Sequence, residues 1–288
     1  MMPCAGKAQC RWSHLTSAVR RRTNPHWEAY LEPSRTQLAV LNNVRWYEAM
    51  FDAHGLTNEV DRMVWLSHEY PPPFHSNLVV LSPATSRTDI ESYVYELEKM
   101  PRPPGWSLKD SFACLDLSSC GFAQLFEAQW MWRDPLEPGS RAAPTRLDWA
   151  RVATGSELTA WENGWWGDAR NESASRVNRQ FPDRLLASHE HIFVAGRLDG
   201  RVLAGGIANC SPGVVGISNV FSPSAFAQET WSAITSCVCA AFPNTPLVGY
   251  ERGTNLQLAR GAGFTPIGPL RVWCRAAGTV GCSRAGDA

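Results

Sequence analysis

"GVVGISNVFSPSAFAQETWSAI", residues 213–234, reads as a strand that turns directly into a helix. Val214, Gly216, Ser218 and Val220 alternate with the apolar Val215, Ile217 and Phe221, which suits a pleated, largely buried strand. Ser222 and Pro223 then give a helix-start signal, a capping hydroxyl followed by a proline for the first turn. The first turn of a helix carries N–H groups without internal acceptors and a partial positive charge, which together receive phosphate well. Turns used in this way are usually lined with glycine so that the ligand reaches the backbone, yet residues 222–231 contain none.

The segments on either side of this turn read as a mixed α/β order. "DWARVA" (148–153) is a strand, and "SELTAWENGWW" (156–166) is a helix starting on a Ser cap, with Leu158, Trp161 and Trp165 on one face. "HIFVAGRLDGRVLAGGIANC" (191–210) has the form of a hairpin turning at Asp199-Gly200. After strand 214–221 and helix 224–241 come the strand "PLVGYE" (246–251), the short helix "NLQLARGAGF" (255–264) and the strand "IGPLRVWCR" (267–275). The order is β-α-β-β-β-α-β-α-β.

The first half repeats part of this order: a helix at 42–55, strands at 62–69 and 77–83, a helix at 88–100, and strands at 106–117 and 121–133. In each half a Gly-Phe corner, Gly121-Phe122 or Gly263-Phe264, leads into a strand rich in Trp and Arg. This similarity points to two related domains in tandem, 28–135 and 147–275, joined by a Pro-rich linker at 136–146. A basic leader at 1–27 without acidic residues and a tail at 276–288 are expected to lie outside the folded domains.

The chain has 288 residues, 44% of them hydrophobic, with 13 Trp, enough for two packed cores. Its formal net charge of zero gives no support to general nucleic-acid binding. No apolar stretch approaches the roughly 20 residues of a membrane span. Nine scattered cysteines without a Cys-x-x-Cys pair fit reduced thiols in a cytoplasmic protein.

The second half resembles the GNAT superfamily of N-acetyltransferases over 146–275, and 38–133 resembles a degenerate copy. The resemblance rests on "FVAGRLDGRVLAGGIANC", "GVVGISNVFSP" and "PLVGYERGTNLQLARGAGF". It implies a largely antiparallel mixed sheet with flanking helices, whose strand before the turn splays from its neighbour to admit acetyl-CoA or another acyl-CoA as co-substrate. Transfer to a small amine would run through a tetrahedral intermediate. The amides of Val220, Phe221, Ser222, Phe226, Ala227, Gln228 and Glu229 would then hold the pyrophosphate. The family's turn, Val-x-Pro-x-x-Arg-Gly-x-Gly-x-Gly or Ala, is altered here: Phe226 stands at the Arg position, and Ala227, Glu229 and Trp231 at the glycines. Glu229 is therefore expected to oppose a diphosphate, and Trp231 to crowd it. Ala259 stands where many members place a Tyr that protonates the leaving thiolate.

Amine acylation needs a base for the nitrogen and donors for the oxyanion. Glu251, ending a strand beside the expected slot, is the base candidate; its alternative is a solvated partner of Arg252, Arg260 or Arg271. Tyr250 is the candidate acid, and Asn219 with Ser218 would orient a water or the carbonyl, or else satisfy local backbone. His189 and His191 lack further ligands for a metal, so none is expected. His68 with Glu69, Lys109 with Asp110, and the Trp residues read as structural. The competing reading of the whole chain is an inactive descendant that binds a ligand or partner.

Overall fold

The structure, a computed structural model, describes residues 33–99, 106–135, 145–167 and 179–275. The expected leader 1–27, the tail 276–288 and most of the linker 136–146 lie outside the described residues. The elements are α1 (Arg35–His54), β1 (Glu59–Val60), β2 (Val64–Leu66), β3 (Leu78–Val80), α2 (Arg87–Glu98), β4 (Trp106–Asp110) and β5 (Phe122–Arg133). They continue with β6 (Asp148–Arg151), α3 (Gly155–Trp166), β7 (His191–Leu198), β8 (Arg201–Ser211), β9 (Val214–Phe221), α4 (Ala227–Ala241), β10 (Leu247–Glu251), α5 (Gly253–Gly261) and β11 (Thr265–Arg275).

Local chemistry sets most of these boundaries. Three helices begin on reciprocal capping boxes, Ser34 with Gln37, Ser86 with Asp89, and Thr154 with Glu157. The first box starts α1 at Arg35 rather than at 42, and the third caps α3 with Thr154 rather than Ser156. Helix α1 stops at Gly55, which takes a left-handed φ of 73° that costs glycine little. The strand expected over 106–117 ends at Asp110. There the carboxylate accepts the N–H groups of Phe112 (3.2 Å) and Leu115 (2.8 Å) and folds the chain into a turn.

The chain divides into two compact units, and among the described residues these are 131–265 and 33–130 with 266–275. The boundary differs from the sequence expectation at the last strand. β11 follows the last helix of the C-terminal half, but its residues pair antiparallel with β4, from Arg271↔Asp110 to Arg275↔Trp106. Sequence proximity does not dictate which strand edge a segment joins; here Leu270, Val272 and Trp273 bury in the N-terminal unit.

Sheet order in the N-terminal unit is β1-β2-β3-β4-β11-β5. β3 and β4 are parallel across α2, and Ile90, Val94 and Leu97 of that helix pack on Val64, Leu78, Leu108 and Trp273. The C-terminal unit runs β10-β9-β8-β7-β6, antiparallel except for the parallel pair of β9 and β10. The β7–β8 hairpin turns at Asp199-Gly200, both with positive φ, as its sequence led one to expect. One face of this sheet carries α4 and the core of Val215, Ile217, Trp231, Ile234, Val238, Leu247 and Phe264. On α3, Trp161 packs edge-to-face on Phe181, Phe193 and Phe221 and donates its indole N–H to the Val194 carbonyl at 2.9 Å. Gly205 has to lack a side chain, because a Cβ there would strike Trp161.

Candidate active site

The quoted turn is where the C-terminal sheet opens. β9 and β10 pair at Leu247↔Val215 and Val248↔Gly216 and no further, although β9 runs to Phe221 and β10 to Glu251. At the parting, a Cβ on Gly249 would lie 2.7 Å from the Ile217 carbonyl, so only glycine permits this approach. On its other edge β9 carries a bulge against β8: Gly205 faces Phe221 and Ile207 faces Ser218. Asn219 within it has φ 53°, a left-handed conformation that Asn tolerates better than most residues. A bulge bends its strand, which draws the end of β9 away from a straight neighbour.

Beyond Phe221 the chain does not enter α4 at once. Residues 224–226 form a 3-10 turn and α4 begins at Ala227, without a side-chain cap. Ser222 therefore does not cap the helix. The turn has already used two of the expected phosphate donors: the N–H of Phe226 goes to the Pro223 carbonyl (2.9 Å) and that of Ala227 to the Ser224 carbonyl. The N–H groups of Ser224 and Ala225 open the turn and have no acceptor within it.

The two side chains expected to obstruct this turn are held elsewhere. Trp231 is 2% exposed, inside the core and edge-on to Phe264. The Glu229 carboxylate accepts from the Thr145 hydroxyl (2.6 Å), the Arg146 backbone (2.6 Å) and the Arg146 Nε (2.8 Å). Burial alone would raise its pKa, but the hydrogen bonds from Thr145, Arg146 and Leu147 outweigh that and hold it below the usual carboxylate range. Its charge is thus matched by Arg146, whose guanidinium also lies 4.3 Å over the Phe226 ring and donates to the Ala225 carbonyl. Phe221 turns its ring to Trp161, on the α3 side.

Strand periodicity separates the two proton-transfer candidates. Leu247 lies in the α4-side core, so Gly249 and Glu251 project to that side while Tyr250 projects to the α3 side. Glu251 is half-buried, and its carboxyl accepts the backbone N–H of Arg252 and the side-chain amide of Asn255 from the first turn of α5. Burial raises its pKa to about 7, against those hydrogen bonds and the Arg252 charge. Arg271 is engaged with Glu127 (2.9 Å) in the N-terminal unit and does not serve it. Asn219 donates to Ser218 Oγ at 3.1 Å. Ala259 is fully buried.

Sequence reading missed Asn255 and Arg146. Asn255 lies four residues after Glu251, across the strand-to-helix junction in the first turn of α5, a closeness in sequence that was legible; Arg146 sits in the linker and reaches Glu229 only through the fold. Among the described residues, no group of three or more His, Cys, Asp or Glu gathers as a metal site, and no helix is long and apolar enough to cross a membrane. His191, at the start of β7, has its pKa lowered by burial to about 4.

A mixed, largely antiparallel sheet with a parallel pair that opens before its crossover helix is the arrangement that the resemblance to the GNAT superfamily implies. Solved structures bear this out. A GCN5-related N-acetyltransferase from Kribbella flavida superposes with a TM-score of 0.60 at 14% identity, covering 86% of this chain and 98% of that one. A functionally unknown conserved protein from Staphylococcus epidermidis superposes with a TM-score of 0.57 at 11% identity, covering 77% and 94%. The likeness at these identities is one of fold. No protein-family model matches the chain, and no curated protein matches it in sequence.

Proposed function

We propose that this protein is an acyl-CoA-dependent N-acyltransferase acting on a small amine, with its site in the C-terminal unit and a degenerate copy of the same module in the N-terminal half. The observation that carries the reading is the end of the β9–β10 ladder after two residue pairs, with Glu251 at the lip of the opening. An acyl group fits into such a gap with its carbonyl toward unpaired strand amides, where charge developing on the oxygen is stabilised.

The donor's pyrophosphate rests on the segment Val220–Glu229, chiefly on the N–H groups of Ser224 and Ala225 that begin the 3-10 turn. Glu229 does not repel it, because Arg146 neutralises that carboxylate. Asn219, at the bulge, orients the acyl carbonyl or a water beside it. Glu251 removes the proton from the attacking amine; a carboxyl held at about 7 is half ionised at neutral pH, near the optimum for a general base.

The test is direct. Acetyl-CoA and longer acyl-CoAs should raise the melting temperature with increasing ligand, and one of them should release free thiol when an amine is supplied. Stabilisation by donors without thiol release from any amine would instead mark a binding protein. Indifference to every donor at millimolar concentration would end the proposal.

A further inference from the structure

We infer that Glu251 also protonates the departing sulfur, so that one carboxyl carries the proton from the amine nitrogen to the thiolate. This deepens the acyltransfer reading and rests on it. The reason is the side of the sheet on which the carboxyl lies. Leu247 and Glu251 share a face, and Leu247 is in the core under α4. The carboxyl is fixed there by the Arg252 N–H and the Asn255 amide of α5. The phosphate-holding turn leads into α4, and α4 and α5 touch through Gln228, whose amide donates to the Leu258 carbonyl at 3.3 Å. A donor gripped at that turn therefore approaches the gap from the side that Glu251 occupies, sulfur first. Tyr250, the phenol proposed from sequence as the acid, projects to the opposite side.

The bookkeeping of atoms is simple. The amine nitrogen bonds to the acyl carbon and the carboxylate takes its proton; the tetrahedral intermediate collapses, the C–S bond breaks, and the carboxylic acid gives the proton to sulfur. Amide and free CoA thiol leave, and the carboxylate is restored without a second acid or any oxidant. Among the described residues of β10 and α5 that face this side, Glu251 is the group with a proton to exchange at neutral pH, since Ala259 and Gly249 offer none.

A carboxylate beside the sulfur must hold the thiol of bound CoA in its protonated form, and this is measurable without an acceptor amine. The thiolate of CoA bound to the full-length protein is titrated by its ultraviolet absorbance, in wild type, Glu251→Gln and Glu251→Asp. The expected result is that the bound thiol loses its proton about one pH unit lower in Glu251→Gln, a tenfold fall in proton affinity, with Glu251→Asp between. The Asp variant, which keeps the charge, guards against a folding defect in the Gln variant. Identical titrations in all three proteins overturn the shuttle while leaving the donor site standing. Failure of wild type to bind CoA removes the donor site itself, and the shuttle with it.

Discussion

In the N-terminal unit β3 runs parallel to β4 across α2, and in the C-terminal unit β9 runs parallel to β10 across α4. Each second strand ends on a carboxylate, Asp110 or Glu251. The fittings around these matched positions differ. Helix α2 opens on a closed capping box of Ser86 and Asp89, so its first-turn donors meet the protein's own oxygens and acid. Helix α4 has no side-chain cap, and the acid in its first turn is drawn off to Arg146. Asp110 is fully buried and engaged by the backbone of its own turn, whereas Glu251 stays half-buried beside a parted strand. In the N-terminal unit the crossover helix meets its own cap and the closing carboxylate its own turn; in the C-terminal unit the strand ladder parts beside an uncapped helix and a carboxyl whose pKa is raised. The proposed site thus lies where a helix start is left uncapped and a strand ladder ends early.

The sharpest way to break this contrast is to remove the two carboxylates in turn. Glu251→Gln should lower turnover by roughly 10²- to 10⁴-fold with the fold intact, as read by steady-state thiol release and circular dichroism. Asp110→Ala should do the reverse. It leaves turnover of the folded protein near wild type but lowers stability in urea by about 1–3 kcal/mol, because buried N–H groups lose their acceptor. An inactive Asp110→Ala protein that still melts normally would move the site into the wrong unit.

The pH profiles separate the two units next. Turnover should rise about tenfold per pH unit and level off above about pH 7, since the base works as carboxylate. Stability moves the other way. The folded pKa of Glu251 lies above its ordinary 4.5, so its contribution is present below that value and is lost as pH climbs toward about 7. His75 and His191, held neutral by burial with pKa values lowered to about 4, cost stability as pH falls from 6.5 toward 4. Chemical denaturation of wild type and Glu251→Gln across pH 4.5 to 7.5 isolates the carboxyl by difference; parallel curves would deny its burial.

Smaller effects probe the two helix starts. Ser86→Ala should cost about 1 kcal/mol through loss of the α2 cap. Ser222→Ala should change stability by less than about 0.5 kcal/mol, because that hydroxyl caps nothing. Equal losses at both would show α4 to be capped in solution after all.

Several of these features were legible in the chain itself. The alternation from Val214 to Phe221, the Asp199-Gly200 turn and the Gly-Phe corners gave the element order and the class of sheet, because period-two burial and positive φ are properties of adjacent residues. Glu251 could be placed at the lip for the same reason. The turn could not be judged that way. Glu229 and Trp231 looked like obstacles, since a sequence displays a charge or a ring but not the direction it takes.

Residue order and local stereochemistry determined which segments are strands and helices, where the hairpin turns, and that a carboxylate ends β10. Tertiary structure decided the rest: that β11 joins the N-terminal unit, that Arg146 reaches across from the linker to draw Glu229 aside, and that Glu251 sits where burial lifts its proton affinity. Pairing partners, neutralised charges and desolvation all depend on atoms distant along the chain, and only the folded arrangement brings those atoms within reach.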